Sequence, residues 1–128
     1  TSKSGMREEM FYSSDGVDPK VIAMDEATKE TLTLGEIISV AQYDRNETLK
    51  INVPVLLVGG DEDFTICGGD FDCSDPSSII NYERQFFSDA AVVETVLLEN
   101  TGHVINLHRG APQCYEIMLD WIDRRVEQ

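Results

Sequence analysis

Between Asn52 and Gly60 the chain reads Asn-Val-Pro-Val-Leu-Leu-Val-Gly-Gly, and every position from Val53 to Val58 is apolar. A short continuous apolar run closed by paired glycines is the pattern of a strand buried on both faces of a parallel sheet. It predicts a strand over 53–58. A second run, Val92 to Leu98, predicts another strand and breaks at Asn100-Thr-Gly-His103. Between the two, Asp75-Pro76 opens a helix whose apolar positions are Ile79, Ile80, Tyr82 and Phe86-Phe87. After the second strand, a helix starting near Ala111-Pro112 places Cys114, Ile117, Met118, Trp121 and Ile122 at helical spacing. Arg124 and Arg125 in its last turn oppose the negative end of the helix dipole. Strand, loop, helix, strand, loop, helix is a right-handed parallel βαβ unit followed by one helix.

The first 50 residues have a different character. Residues 1–16 scatter Ser, Gly and Asp and predict irregular chain. Asp18-Pro19 then opens a helix, with Asp as N-cap and Pro in the first turn, where its missing N–H costs nothing. Val21, Ile22, Met24 and Ala27 give it a modest apolar face. A second helix starts at Thr33, where Thr33-Leu-Gly-Glu36 has the capping-box spacing, and continues through Ile37, Ile38, Val40 and Ala41. Two such helices do not make a complete core. Two strands alone do not make a stable parallel sheet covered on both faces. The apolar strand at 53–58 therefore calls for partners from another chain or from a longer polypeptide. No internal repeat is visible.

Composition narrows the function classes. Of 128 residues, 41% are hydrophobic and 27% charged, a globular balance. Ten basic against 24 acidic residues give a net charge of −14. Such a surface repels phosphate, so nucleic acid is not an expected partner, and anionic lipid is disfavoured for the same reason. The longest apolar run falls far short of the ~20 residues of a membrane span, so no span is expected. Thr1-Ser-Lys-Ser-Gly5 lacks the hydrophobic stretch of a secretory signal, and localisation stays open. Asn46-Glu-Thr48 is a glycosylation sequon, meaningful only in a secreted protein. Of the three cysteines, Cys67 and Cys73 suit either a small disulfide loop or two free thiols, and Cys114 reads as a core thiol. There is no Cys-x-x-Cys pair, so neither a redox motif nor a zinc knuckle is indicated.

In open α/β sheets, functional groups lie in loops just past the carboxyl ends of strands. That rule selects Asp61, Glu62 and Asp63 after the first strand and His103 after the second. An acid and an imidazole on neighbouring parallel strands, at the same end of the sheet, can meet. A carboxylate that accepts the imidazole N–H fixes its tautomer and leaves the other nitrogen free as a base. The simplest reading of Asp61 and Glu62 is as solvated loop charges. His108 reads as a residue that caps or packs near the last helix, and Trp121 and Phe86-Phe87 as core or interface surface.

With these residues in view, a resemblance emerges. Val53-Pro-Val-Leu-Leu-Val-Gly-Gly60-Asp-Glu-Asp63 resembles the penultimate core strand of α/β-hydrolases with its Gly-x-x-Asp turn. Asn100-Thr-Gly-His103, then Asn106-Leu-His108 and an amphipathic helix ending near Asp120-Trp-Ile122, looks like that family's histidine loop and final helix. The resemblance covers 51–128 well and implies an α/β fold, the C-terminal portion of a three-layer parallel sheet. Residues 1–50 would be the tail and linker of a helical cap. It implies Asp63 as triad acid and His103 as general base, in the family order nucleophile, acid, histidine. It implies no cofactor and no metal, and a small-molecule acyl substrate of the kind taken by esterases and lipases. The nucleophile elbow Gly-x-Ser-x-Gly is absent from all 128 residues. The chain is therefore expected to be the acid–base half of a serine hydrolase, partnered by an N-terminal segment of the same enzyme that carries the nucleophile. Two readings from other classes stand beside this one. One is a non-catalytic α/β module that binds a partner subunit. The other is a Ca²⁺-binding loop built from Asp61, Glu62, Asp63, Asp70, Asp72 and Asp75 beside Gly68-Gly69, although the EF-hand spacing is missing.

Overall fold

Asp18 accepts the amide of Lys20 at 2.8 Å and starts helix α2, Pro19–Thr28. Thr33 forms a full capping box with Glu36 at the start of α3, Leu34–Ala41. Asp75 accepts the amide of Ser77 ahead of α4, Pro76–Glu83, which has Pro in its first turn. The last helix, α5, spans Ala111–Val126 and ends in Arg124 and Arg125. The starts of α2, α3 and α4 follow from cap chemistry that is local in sequence. A further helix, α1, Met6–Phe11, lies in the stretch expected to be irregular. No side chain caps it. Its support is tertiary: Arg7 donates to Asp25 of α2 at 2.5 and 2.8 Å, and Tyr12 donates to the same carboxylate at 2.8 Å. These features belong to a computed structural model that describes residues 5–68 and 71–126.

Two strands form the sheet among the described residues: β1, Val55–Gly60, and β2, Val93–Leu98. They are parallel, with Val55 opposite Val93 and Gly60 opposite Leu98. Helix α4 makes the crossover between them. The architecture is thus mixed α/β with a parallel pair. Strand β1 begins two residues later than the apolar run and extends through both glycines. Pro54 has no amide to give a ladder, and pairing opens with the Val55 N–H donating to the Val92 carbonyl at 2.8 Å. The expected burial on both faces is only partly met: Val55 to Gly59 are half-buried and Gly60 alone is buried. Among the described residues, helices cover the sheet incompletely.

Three short 3-10 turns tie the parts together: 45–50, 84–86 and 105–107. Arg45 in the first donates to both oxygens of Glu83 at 2.7 and 2.6 Å and lies 3.8 Å from the centre of the Phe86 ring. Helix α5 is fixed to β2 through Glu94, which accepts from Trp121 at 2.9 Å and from Arg125 at 2.8 Å. Cys67 and Cys73 are joined as a disulfide, resolving the alternative left open by their spacing. Cys114 is a buried free thiol, and burial pushes its pKa up. No helix of the described residues is long and apolar enough to cross a membrane.

Candidate functional site

Because Gly60 pairs with Leu98 in a parallel register, both strands end at the same edge and their following loops start side by side. The two loops are then laced together. The Asp61 amide donates to the Leu98 carbonyl at 3.0 Å, and the Glu62 amide to the Thr101 carbonyl at 3.0 Å. The Asp61 side chain accepts the Thr101 amide at 3.2 Å. Asp61 therefore serves as a clip between loops rather than a solvated charge, while Glu62 remains exposed. Gly60 sits at the tightest point: a Cβ there would lie 1.9 Å from the Thr101 carbonyl oxygen.

Past this clip, the chain turns at Asp63. Its carbonyl accepts the amides of Ile66 at 3.1 Å and Cys67 at 2.7 Å, which rolls 63–67 into a single helical turn. The carboxylate is buried, with its side chain 4% exposed. Oδ1 accepts from the Thr65 amide at 2.9 Å and the Thr65 hydroxyl at 2.6 Å. Oδ2 lies 2.9 Å from Nδ1 of His103. The imidazole is 46% exposed, and its Nε2 has no hydrogen-bond partner among the described residues. The structure thus brings Asp63 and His103 together, with the acid inside and one ring nitrogen left open.

The loop that carries His103 is held from the other side by the segment after α1. The Val104 amide donates to the Phe11 carbonyl at 3.2 Å, and the Arg109 amide to the Gly16 carbonyl at 2.8 Å. The buried Ser13 hydroxyl donates to the Asn100 carbonyl at 2.6 Å and accepts from the Gly16 amide at 3.0 Å. Asn100 itself adopts a left-handed φ of 51°, turning the chain out of β2. At Gly102 a Cβ would lie 2.6 Å from the Phe11 carbonyl oxygen.

His108 is buried at the centre of this clamp. Its Nε2 accepts two amides, from Ser13 at 3.1 Å and Gly102 at 2.9 Å, while Nδ1 lies 2.9 Å from the Val104 carbonyl. A nitrogen that accepts twice carries no proton, so the proton is on Nδ1, where it donates to Val104. Both nitrogens are committed to the scaffold of the loop. The Phe11 ring, 5.8 Å centre to centre from the His103 ring, forms a wall beside the open imidazole.

The remaining acids of the loop face different ways. Asp72 accepts from the Ser74 amide and hydroxyl at 2.9 and 2.6 Å, and these bonds, the hydroxyl first, hold its carboxyl below the ordinary range. Asp75 caps α4, and Asp63 faces His103. Gly69 and Asp70 lie outside the described residues. Among those described, no group of three or more His, Cys, Asp or Glu converges on a point where a metal would sit. With Cys67 tied to Cys73, this loop presents no free thiol beside Asp63.

Residue patterns selected Asp63 and His103 as candidates but passed over Thr65, Ser13 and Gly102. For Thr65 a signal existed: in Asp63-Phe-Thr65, the acid stands two residues before a hydroxyl, the spacing of a side-chain-capped turn. Ser13 bonds partners about 90 residues away, and the close approach at Gly102 is to Phe11 at a similar separation, so neither carried a local signal. No protein-family model and no curated protein matches the sequence.

Proposed function

We propose that this chain is the acid–base half of a serine-type α/β-hydrolase that cleaves an ester or related acyl bond. Residues 51–128 would be the last strands and helices of its three-layer sheet, and residues 1–50 the tail of its helical cap. The observation that carries this reading is the buried Asp63 carboxylate 2.9 Å from Nδ1 of a half-exposed His103, at the carboxyl ends of adjacent parallel strands. In this arrangement Nδ1 donates to Asp63 and Nε2 is the base. Nε2 takes the proton of a serine hydroxyl as its oxygen attacks the acyl carbon, then gives that proton to the departing alkoxide or amine. A water molecule repeats the cycle and releases the acid. Asp63 orients the ring and stabilises the imidazolium while it exists.

The serine would come from a segment outside these 128 residues that pairs with the open edge of β1. Two apolar clefts run along that strand and support the idea. One, of about 270 Å³, is walled by Leu57, Phe71 and Ile79. The other, of about 290 Å³, is walled by Val55, Met118, Trp121 and Ile122.

The test is hydrolysis of p-nitrophenyl butyrate by the full polypeptide that contains this chain. His103→Ala and Asp63→Asn should each lower kcat by roughly ten-thousandfold. Activity unchanged in both variants would remove the triad assignment. The 128-residue chain by itself should show no turnover. Turnover by it that disappears in His103→Ala would remove the need for an outside nucleophile.

A further inference from the structure

We propose that Thr65 is a positioning residue that locks His103 in the Nδ1–H tautomer by standing as a second acceptor beside Asp63; its catalytic meaning rests on the hydrolase reading above. Three groups meet in a closed triangle. Thr65 Oγ1 is 2.6 Å from Asp63 Oδ1 and 2.8 Å from His103 Nδ1, and Nδ1 is 2.9 Å from Asp63 Oδ2. A threonine hydroxyl has one proton to give and two lone pairs to offer. An ionised carboxylate has only lone pairs. The 2.6 Å contact between Oγ1 and Oδ1 requires a proton between the oxygens, and the hydroxyl is the group that has one. Its lone pair then faces Nδ1.

The alternative tautomer does not fit this triangle. With Nδ1 unprotonated, its lone pair would face Oδ2, and only the Thr65 hydroxyl could donate to it. That would strip the proton from the short Oγ1–Oδ1 contact and set two pairs of acceptors against each other. With Nδ1 protonated, its N–H is shared between Oδ2 and Oγ1 and every contact is satisfied. Thr65 is held in register for this role, because its own amide also bonds Oδ1 at 2.9 Å. Amide and hydroxyl together grip one carboxylate oxygen, which fixes the threonine χ1 as well as the carboxylate plane. The turn that follows is closed by the Cys67 amide on the Asp63 carbonyl and by the Cys67–Cys73 disulfide. Thr65 thus helps present Nε2 as the unprotonated, outward-facing nitrogen that a base requires.

The experiment uses the full polypeptide labelled with 15N-histidine, with His103→Gln to assign the resonance, and compares wild type with Thr65→Val and Thr65→Ser. The wild type should show His103 as the Nδ1–H tautomer. Thr65→Val keeps the shape and removes the hydroxyl; it should move the tautomer ratio toward Nε2–H by roughly fivefold, the size of one net hydrogen bond. Thr65→Ser should restore the wild-type ratio. In the ester assay, Thr65→Val should lower kcat about tenfold with KM unchanged, and Thr65→Ser should stay within about twofold of wild type. A wild-type tautomer ratio in Thr65→Val, or a serine variant that behaves like valine, would overturn the proposal. The two readings separate cleanly: a shifted tautomer in a polypeptide without acyl hydrolysis upholds the Thr65 role and sinks the hydrolase assignment. Hydrolysis that needs His103 but ignores Thr65 does the reverse.

Discussion

Gly59 and Gly60 look alike in sequence, yet only one of them is demanding. A Cβ on Gly59 would meet the Leu97 side chain at 3.3 Å, which a flexible leucine accommodates. On Gly60 it would lie 1.9 Å from the Thr101 carbonyl oxygen and 2.8 Å from that of Gly102, both backbone atoms. The loop bearing His103 would have to move away from β1, breaking the clip made by Asp61. Gly60→Ala should therefore cost about 3 kcal/mol, at the upper end of what overpacking costs, while Gly59→Ala should cost less than about 1.5 kcal/mol. Urea unfolding of the full polypeptide measures both, and equal losses would contradict the close-approach argument. The glycine pair was legible as the end of a strand, but the contact that ranks its two members comes from residues some 40 positions away. His108 teaches the same lesson. Its place near the last helix was legible; its two amide partners, one of them in residue 13, were not.

At the scale of elements, the sequence revealed what local chemistry encodes. Asp18-Pro19, Thr33-x-x-Glu36 and Asp75-Pro76 each announce a helix because the cap is contained within four residues. Helix α1 has only six residues and no side-chain cap, and an isolated helix so short is unstable in water. Its contacts with α2 supply what local propensity lacks, and these run through Asp25. Arg7 and then Tyr12 donate to that carboxylate and hold its pKa below the ordinary aspartate value, against the opposing effect of burial. Tyr12 is shifted upward, by burial first and by its bond to Asp25 second. A carboxylate with a lowered folded-state pKa contributes stability fully above its unfolded pKa and loses it as pH falls through the folded value. Asp25→Asn should therefore destabilise by about 1 kcal/mol at pH 7. The gap to wild type should close as pH drops below about 4. A gap that stays constant down to pH 2 would show that Asp25 acts through packing alone. The disulfide was not decidable from spacing. Its two cysteines meet because the turn at 63–67 and the bridge between Gly68 and Phe71 fold the loop back on itself.

For the molecule as a whole, two opposing features decide its behaviour in solution. The parallel pair β1–β2 has β1 residues only half-buried, and its two clefts are apolar. An open strand edge with aliphatic neighbours is a template for association. Helix α3 adds a second apolar surface, with Leu34, Ile37, Ile38 and Val40 all exposed. The apolar run 53–58 raised the expectation of such partners from sequence alone, since six consecutive apolar residues exceed what one neighbouring strand can cover. Against association stands a net charge of −14, which makes copies repel. That repulsion reaches about 30 Å at 0.01 M salt but only about 8 Å at 0.15 M. The isolated 128-residue chain should therefore scatter light as a small species at low salt and grow in size as salt is added, with a weakly cooperative thermal transition throughout. Supplying the segment proposed to carry the serine should suppress that growth and raise the melting temperature, because it would cover the β1 edge and fill the clefts. Charge repulsion explains why the low-salt state alone says nothing about completeness; the salt dependence does. A monodisperse monomer at 0.15 M salt with a sharp, cooperative transition would mean that the two-stranded sheet is self-sufficient, and the case for a partner segment on β1 would fall with it.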